Sequence, residues 1–238
     1  IYNIMTVLND AYMPFGKLFI GSLFDNINLE RVNKIYFYDT GLSDQNKKYL
    51  LQFPKVEIVE TEINTSYGEM HDLDWQQNVY SKTSFLLQTI KKDNKPTIMI
   101  DSDSVFVYDF FDLIDADKDF IACKRDARPG FSNHIGSFFV INAVEKAEEF
   151  INQWVAEINS GNEKHKESPA LSRVLKQNDS FSVGELSEDT VSYFSFSQRP
   201  VNSEVRIIHL KSDAGRETIE KRINQEYLAP YMKYLEDV

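Results

Sequence analysis

One cysteine, Cys123, stands among 238 residues, so no intrachain disulfide can form and stability has to come from packing. That scarcity predicts a reducing compartment, and the expected localisation is cytoplasmic. Long apolar runs are missing too. No stretch nears the roughly 18 apolar residues of a membrane span, so no transmembrane segment is expected, and no secretory leader is visible. Basic residues are outnumbered: 26 Lys and Arg face 37 Asp and Glu, a net charge of −11. A chain of that sign repels a phosphate backbone, and no nucleic-acid partner is expected. Glycine is sparse, and residues 9–16 contain Gly16 alone, so no glycine-rich loop follows the first apolar segment to cradle a triphosphate. No serine occupies a Gly-x-Ser-x-Gly turn, and a single thiol excludes cysteine-type zinc sites. What the chain does have is aromatic bulk. Its 17 Phe and 12 Tyr, within a hydrophobic share of 42%, exclude a disordered composition.

The apolar pattern alternates short β-rich runs with helical periods. Residues 2–8 read as a buried strand. Residues 9–12 form a loop, Pro14 suits a first helical turn, and a helix follows to about Ile27. Residues 34–38 are a second strand ending at Asp39, Ser43 is a plausible cap for a helix to about Leu51, and 56–59 are a third strand. A polar loop spans 60–73, with His71 expected to be solvated. A long helix covers 75–92, and a fourth strand covers 97–100. This β-α-β-α-β-α-β order predicts an α/β fold with a mostly parallel, Rossmann-like sheet, whose ligands sit beyond the carboxyl ends of the strands. Further strands are predicted at 119–123, 135–141, 181–185, 192–196 and 205–210. Helices are predicted at 143–159, 168–176 and 215–236, with His165 in a polar loop. Without repeats or a linker, residues 1–238 form one domain.

Asp101-Ser102-Asp103 carries the chemistry. It follows an apolar strand, and residues two apart on an extended chain point to the same side, so both carboxylates can converge past the strand end. Two carboxylates there suit a hard divalent cation, which commonly carries a phosphate or diphosphate. His209, after the apolar run 205–208, can add an imidazole ligand. For that role, Asp103 and His209 should approach within about 4 Å.

This layout resembles the nucleotide-sugar-dependent glycosyltransferases of the GT-A fold. The resemblance is carried by the first strand with Asn9-Asp10-Ala11-Tyr12, by Asp101-Ser102-Asp103, by Glu167-Ser168-Pro169-Ala170-Leu171, and by Ile207-Ile208-His209-Leu210-Lys211. It implies a single GT-A domain with a smaller mixed sheet on the acceptor side. Residues 1–103 would be a nucleotide-binding half and 104–238 an acceptor-binding half. It implies a nucleotide-sugar donor, with UDP-sugar expected, and transfer of a hexose to a hydroxyl of a carbohydrate or glycan acceptor, as in polysaccharide biosynthesis. Thr6, Leu8, Asn9, Asp10 and Tyr12 correspond to the base- and ribose-binding loop, joined by Tyr38 and Asp39. Lys82 corresponds to a basic residue that approaches the diphosphate, and Ser102 and Lys211 are further donor contacts. Asp101, Asp103 and His209 correspond to the ligands of Mn²⁺ or Mg²⁺. His134 and Gly136 lie where the acceptor docks. A carboxylate is needed as base or stabiliser, and among Glu167, Glu185, Glu188 and Asp189 the choice falls on Asp189 and Glu167. The chain departs from related branches at 212–216 and at Glu167-Ser168, where relatives carry Asp-Gln or Asp-Glu.

Three other readings compete. A haloacid-dehalogenase-like phosphatase also uses Asp-x-Asp after a strand, but there the motif opens the domain. A sugar-nucleotide pyrophosphorylase needs the missing glycine loop. A non-catalytic nucleotide-sugar-binding module would usually lose the metal ligands.

Overall fold

The computed structural model describes residues 1–65, 73–125, 132–160, 167–194, 203–211, 215, 217 and 228–236. Its strands are β1 (Tyr2–Leu8), β2 (Val32–Asp39), β3 (Val56–Glu60), β4 (Thr97–Ile100), β5 (Ser104–Phe106), β6 (Phe120–Lys124), β7 (His134–Ile141), β8 (Val183–Ser187), β9 (Tyr193–Phe194) and β10 (Ile207–His209). Its α-helices are α1 (Met13–Asn26), α2 (Asp44–Leu50), α3 (Leu73–Asp93), α4 (Ala147–Ser160), α5 (Glu167–Gln177) and α6 (Glu188–Val191). Seven strands form the main sheet in the order β3-β2-β1-β4-β7-β6-β8. The first four run parallel, β7 is antiparallel to both β4 and β6, and β8 returns parallel to β6. A small mixed sheet has the order β5-β10-β9. The predicted α/β class, mostly parallel main sheet and smaller mixed sheet are all present.

Strand alternation divides the core into two layers. Ile4, Leu8, Ile35, Phe37, Ile98 and Ile100 face Phe19, Ile20 and Leu23 of α1 and Leu50 of α2. Met5, Tyr36, Tyr38, Met99 and Phe139 face α3, α4 and α5 through Phe85, Phe150, Trp154 and Leu171. Both faces of β1 and β4 are buried, which is why these strands read as continuous apolar runs. Each fully buried aromatic here contributes roughly 2 kcal/mol. The small sheet is held to α1 by polar contacts. Ser22 Oγ accepts from Phe106 N at 3.0 Å, and Asn26 Nδ2 donates to Phe106 O at 2.9 Å.

Several boundaries differ from expectation. The strand predicted at 181–185 is Val183–Ser187, because Phe181 packs ahead of it against Phe120 and Phe150. Ser43 stands at the start of α2 without capping it; its hydroxyl donates to Asp10 Oδ1 at 3.1 Å instead. The helix predicted over 215–236 is not continuous: Ala229–Leu235 is a 3-10 segment with Pro230 in its first turn. His71 and His165 lie outside the described residues.

Candidate functional site

The carboxyl end of β4 is where the main sheet meets the small one. Asp101 N donates to Ser137 O of β7 at 3.0 Å, which extends the β4–β7 ladder by one bond. The chain turns through Ser102 and Asp103 into β5, and Leu210 N donates to Asp103 O at 2.7 Å. The antiparallel register sets His209 opposite Ser104, one residue beyond Asp103. This pairing brings residue 209 to the Asp-x-Asp turn. His209 Nε2 lies 2.9 Å from Asp103 Oδ1 and 3.7 Å from Asp101 Oδ2, inside the distance a shared ligand requires. One donor atom from each of the three residues falls within 4.8 Å of the others. The other ring nitrogen, Nδ1, lies 3.0 Å from Ser192 Oγ, which lies 2.8 Å from Ser137 Oγ.

Two carboxylates and an imidazole, converging at a strand end, form a donor set that fits Mn²⁺ or Mg²⁺. One face of Asp101 is already neutralised. Lys82 Nζ of α3 donates to Asp101 Oδ1 at 2.6 Å and stands 3.1 Å from Glu167 Oε1. Burial would raise the pKa of Asp101, but Lys82 and His209 outweigh it and hold the group below the ordinary carboxylate range. Burial would lower the pKa of Lys82, yet the two carboxylates hold the ammonium above its ordinary value. Glu167 is different. Burial pushes its pKa up to about 7, against the pull of Lys82. Its Oε1 stands at ion-pair distance, 3.1 Å, from the Lys82 ammonium. Gly136 makes room for this carboxyl, since a Cβ there would lie 2.6 Å from Glu167 Cδ. Trp154 Nε1 donates to Glu167 O at 3.0 Å and fixes the start of α5.

The remaining expected site residues divide into open and closed groups. Asp10 accepts from Ser43 N at 2.8 Å and from Asn46 Nδ2 at 2.8 Å, all through Oδ1, and is exposed. Tyr12 is half-buried, 5.6 Å from the Phe15 ring centre. Asn9 is buried and ties Tyr12 N to Thr65. Thr6 and Leu8 are buried in β1, and Leu8 fills the space beside Gly16. Strand alternation turns the Tyr38 side chain into the core, where it stacks on Phe85 and its hydroxyl meets Thr89 Oγ1 at 2.9 Å. Asp39 is a turn-forming residue. Its Oδ1 accepts from Gly41 N at 2.8 Å and Leu42 N at 2.6 Å, and Lys47 reaches Oδ2 at 2.7 Å. Gly41 has φ +129°, a backbone state that a side chain would strain. Lys82 is buried between the carboxylates of Asp101 and Glu167.

On the other side, His134 Nε2 meets Glu185 Oε1 at 2.9 Å, and Lys124 pairs with the other Glu185 oxygen. Glu188 is buried against Arg125 at 3.1 Å. Asp189 is half-buried in α6, with its N–H bonded to Ser187 Oγ. Ser102 is buried in the turn, and Lys211 follows His209 beyond β10, its pKa lowered by burial and by Arg125. Sequence reasoning missed Arg125, Ser137 and Ser192. The two serines carried a readable signal, since each is a hydroxyl inside an otherwise apolar run.

No helix among the described residues is long and apolar enough to cross a membrane. The sequence profile of the nucleotide-diphospho-sugar transferases matches residues 43–222. A search of curated protein sequences finds no match. Among solved structures, apo WbbM, a bifunctional glycosyltransferase, superposes with a TM-score of 0.64 at 14% identity, over 98% of this chain and 51% of WbbM. The chain therefore spans about half the length of WbbM. The galactosyltransferase LgtC, solved in complex with donor and acceptor sugar analogues, gives 0.59 at 12% identity over 96% of this chain and 99% of LgtC. An active-site mutant of LgtC gives 0.61 at 11% identity with the same coverage. At such identities the likeness carries the fold, which is that of the GT-A glycosyltransferases, and the profile carries the family. With three β-α units ahead of Asp101, and among the described residues a histidine rather than a later pair of aspartates beside it, the phosphatase reading falls away. The chain belongs to the nucleotide-diphospho-sugar transferase family.

Proposed function

We propose that this protein is a metal-dependent hexosyltransferase that moves a sugar from a nucleotide sugar, UDP-linked, to a hydroxyl of a carbohydrate or glycan acceptor. The observation that supports the reading is the convergence of Asp101, Asp103 and His209 at the carboxyl end of β4. Mn²⁺ or Mg²⁺ held by these three would supply Lewis-acid neutralisation of the diphosphate leaving group. The chain's own residues do the rest. Asp10 and Tyr12 border the loop where the base and ribose would bind, and both side chains are accessible there. Lys82 fixes Asp101 through Oδ1, which leaves Oδ2 on the His209 side. Ser102 and Lys211 flank the site as donor contacts.

Glu167 is the carboxyl we assign beside the reacting sugar. With a pKa pushed up to about 7, it can hold or release a proton near neutral pH. Asp189 is the second candidate, and His134 and Gly136 belong to the acceptor side. Residues 1–103 would form the nucleotide-binding half and 104–238 the acceptor-binding half. The single buried cysteine suits a cytoplasmic setting in polysaccharide synthesis.

Calorimetry of UDP binding, with and without Mn²⁺ and with GDP and dTDP as controls, tests the reading. Metal-dependent binding of UDP alone supports it. Metal-dependent binding of GDP or dTDP in its place reassigns the donor. Absence of nucleotide binding in the presence of metal overturns it. Nucleotide-sugar binding without transfer to any glycan would favour the non-catalytic module.

A further inference from the structure

The way His209 is held goes beyond its role as a ligand. Its ring sits between two kinds of partner: Nε2 faces Asp103 Oδ1 at 2.9 Å, and Nδ1 faces Ser192 Oγ at 3.0 Å. An ionised carboxylate only accepts hydrogen bonds, so without a cation a neutral ring donates to Asp103 from Nε2–H. Nδ1 is then an acceptor, and Ser192 must donate to it. A cation on Nε2 needs that lone pair, which puts the ring proton on Nδ1, and Ser192 must then accept. A carbonyl in the place of Ser192 could only accept, and an amide N–H could only donate. A hydroxyl can do either.

Ser192 has a partner that can follow the change. Ser137 Oγ lies 2.8 Å away and is also a hydroxyl, so when Ser192 donates to the ring it accepts from Ser137, and when it accepts from the ring it donates to Ser137. Ser192 is 1% exposed, Ser137 5% and His209 2%, so bulk water does not reach the chain of hydroxyls to take over either role. Ser137 also reaches the opposite arm of the site. Its main-chain oxygen accepts from Asp101 N at 3.0 Å, so one residue of β7 braces Asp101 by its backbone and His209 by its side chain.

We infer that the Ser137–Ser192 hydroxyl pair is a reversible positioning device for the metal site, holding His209 with Nε2 toward Asp101 and Asp103 in both ring tautomers. The inference rests on the proposed metal-binding role of that cluster. Ser137 and Ser192 are positioning residues: each acts on the cation through another group.

The experiment is a titration of the full chain with Mn²⁺, read from the free-ion electron paramagnetic resonance signal, alone and with UDP. Ser192→Ala is expected to weaken Mn²⁺ binding about 10- to 100-fold, the usual effect of removing a partner behind a histidine ligand. Ser192→Thr, which keeps the hydroxyl, is expected to retain wild-type affinity, and Ser137→Ala to lose less than Ser192→Ala. A second measurement stands independent of any variant's folding. In ¹⁵N NMR of the wild type at pH 8, the proton of His209 is expected on Nε2 without Mg²⁺ and on Nδ1 with it. The inference is overturned if folded Ser192→Ala binds Mn²⁺ as tightly as the wild type, or if the same nitrogen carries the proton with and without Mg²⁺. A wild type that binds no Mn²⁺ under either condition overturns the metal-site reading itself, and that result is distinct because the other failures leave wild-type binding intact.

Discussion

Aspartates stand at the carboxyl ends of two parallel strands, β2 and β4, that flank β1 in the main sheet, and they are finished in opposite ways. At the end of β2, Asp39 accepts from two backbone N–H groups and pairs with Lys47, so its charge is fully answered within the fold. At the end of β4, Asp101 and Asp103 bring two carboxylates toward one imidazole. Lys82 answers one oxygen of Asp101, and the side that faces His209 remains for a positive ion. The same residue type at the same edge of the sheet forms a turn in one place and, on the reading proposed above, a metal ligand in the other. What separates them is the supply of fixed donors: a closed carboxylate stabilises, whereas a converging pair that the fold leaves short of positive charge has something to bind.

Substitutions should separate the two clusters. Asp103→Asn removes a ligand without disturbing the Lys82 pair, and sugar transfer should fall about 1,000-fold, equivalent to roughly 4 kcal/mol of lost leaving-group stabilisation. A product assay at saturating donor checks this, with an unchanged urea midpoint expected alongside it. Lys82→Met leaves Asp101 and Glu167 buried without their cation, and unfolding stability should drop by about 3 kcal/mol in urea. Mn²⁺ should restore more stability to that variant than to the wild type. Asp39→Ala should cost about 2 kcal/mol for its backbone donors and leave Mn²⁺ affinity unchanged. A lost metal affinity in that variant would mean that the two clusters are not independent.

The pH dependence follows from the same residue. Burial opposes the charge of Asp39, but Lys47 and the N–H groups of Leu42 and Gly41 hold its folded pKa below the ordinary value of about 3.9. Its stabilisation is therefore complete above the unfolded value and is lost as pH falls through the lowered folded one. Acid unfolding of Asp39→Ala should show a shallower slope below about pH 4 than the wild type. Gly136→Ala should have the mildest effect, about 1 kcal/mol, because the displaced group is the far end of Glu167. Its sharper readout is a changed pH profile of transfer, since Glu167 would move relative to Lys82.

Sequence reading succeeded where a segment's environment is uniform. β1 and β4 are buried on both faces, and their apolar runs fall at Tyr2–Leu8 and Thr97–Ile100 as predicted. It slipped where long-range packing decides. Phe181 looked like a strand residue but packs ahead of β8, and the ring of Tyr38, at the end of β2, lies on the α3 side of the core. At the site, the Asp-x-Asp pair and the late histidine were legible because their chemistry is local and their flanks are apolar. The role of Lys82 was not, because its second partner, Glu167, comes from a different helix, and no spacing along the chain encodes that meeting. Ser137 and Ser192 stood out as hydroxyls among apolar neighbours, but their role was hidden for the same reason, because each depends on a partner distant in the chain.

The pairing of β10 with β5 has a consequence for how the protein comes into being. Asp101 and Asp103 are made more than a hundred residues before His209, and the ladder from Ile207–His209 to Ser104–Phe106 is what unites them. A growing chain can pair β1 with β2 and β2 with β3 early, since those pairings close over short spans, and β4 can join β1 as soon as Thr97–Ile100 has been made. The cluster of Asp101, Asp103 and His209 has no such precursor. It stays half-built until β10 has left the ribosome, so the proposed cation site is completed only in a chain whose synthesis has passed residue 209.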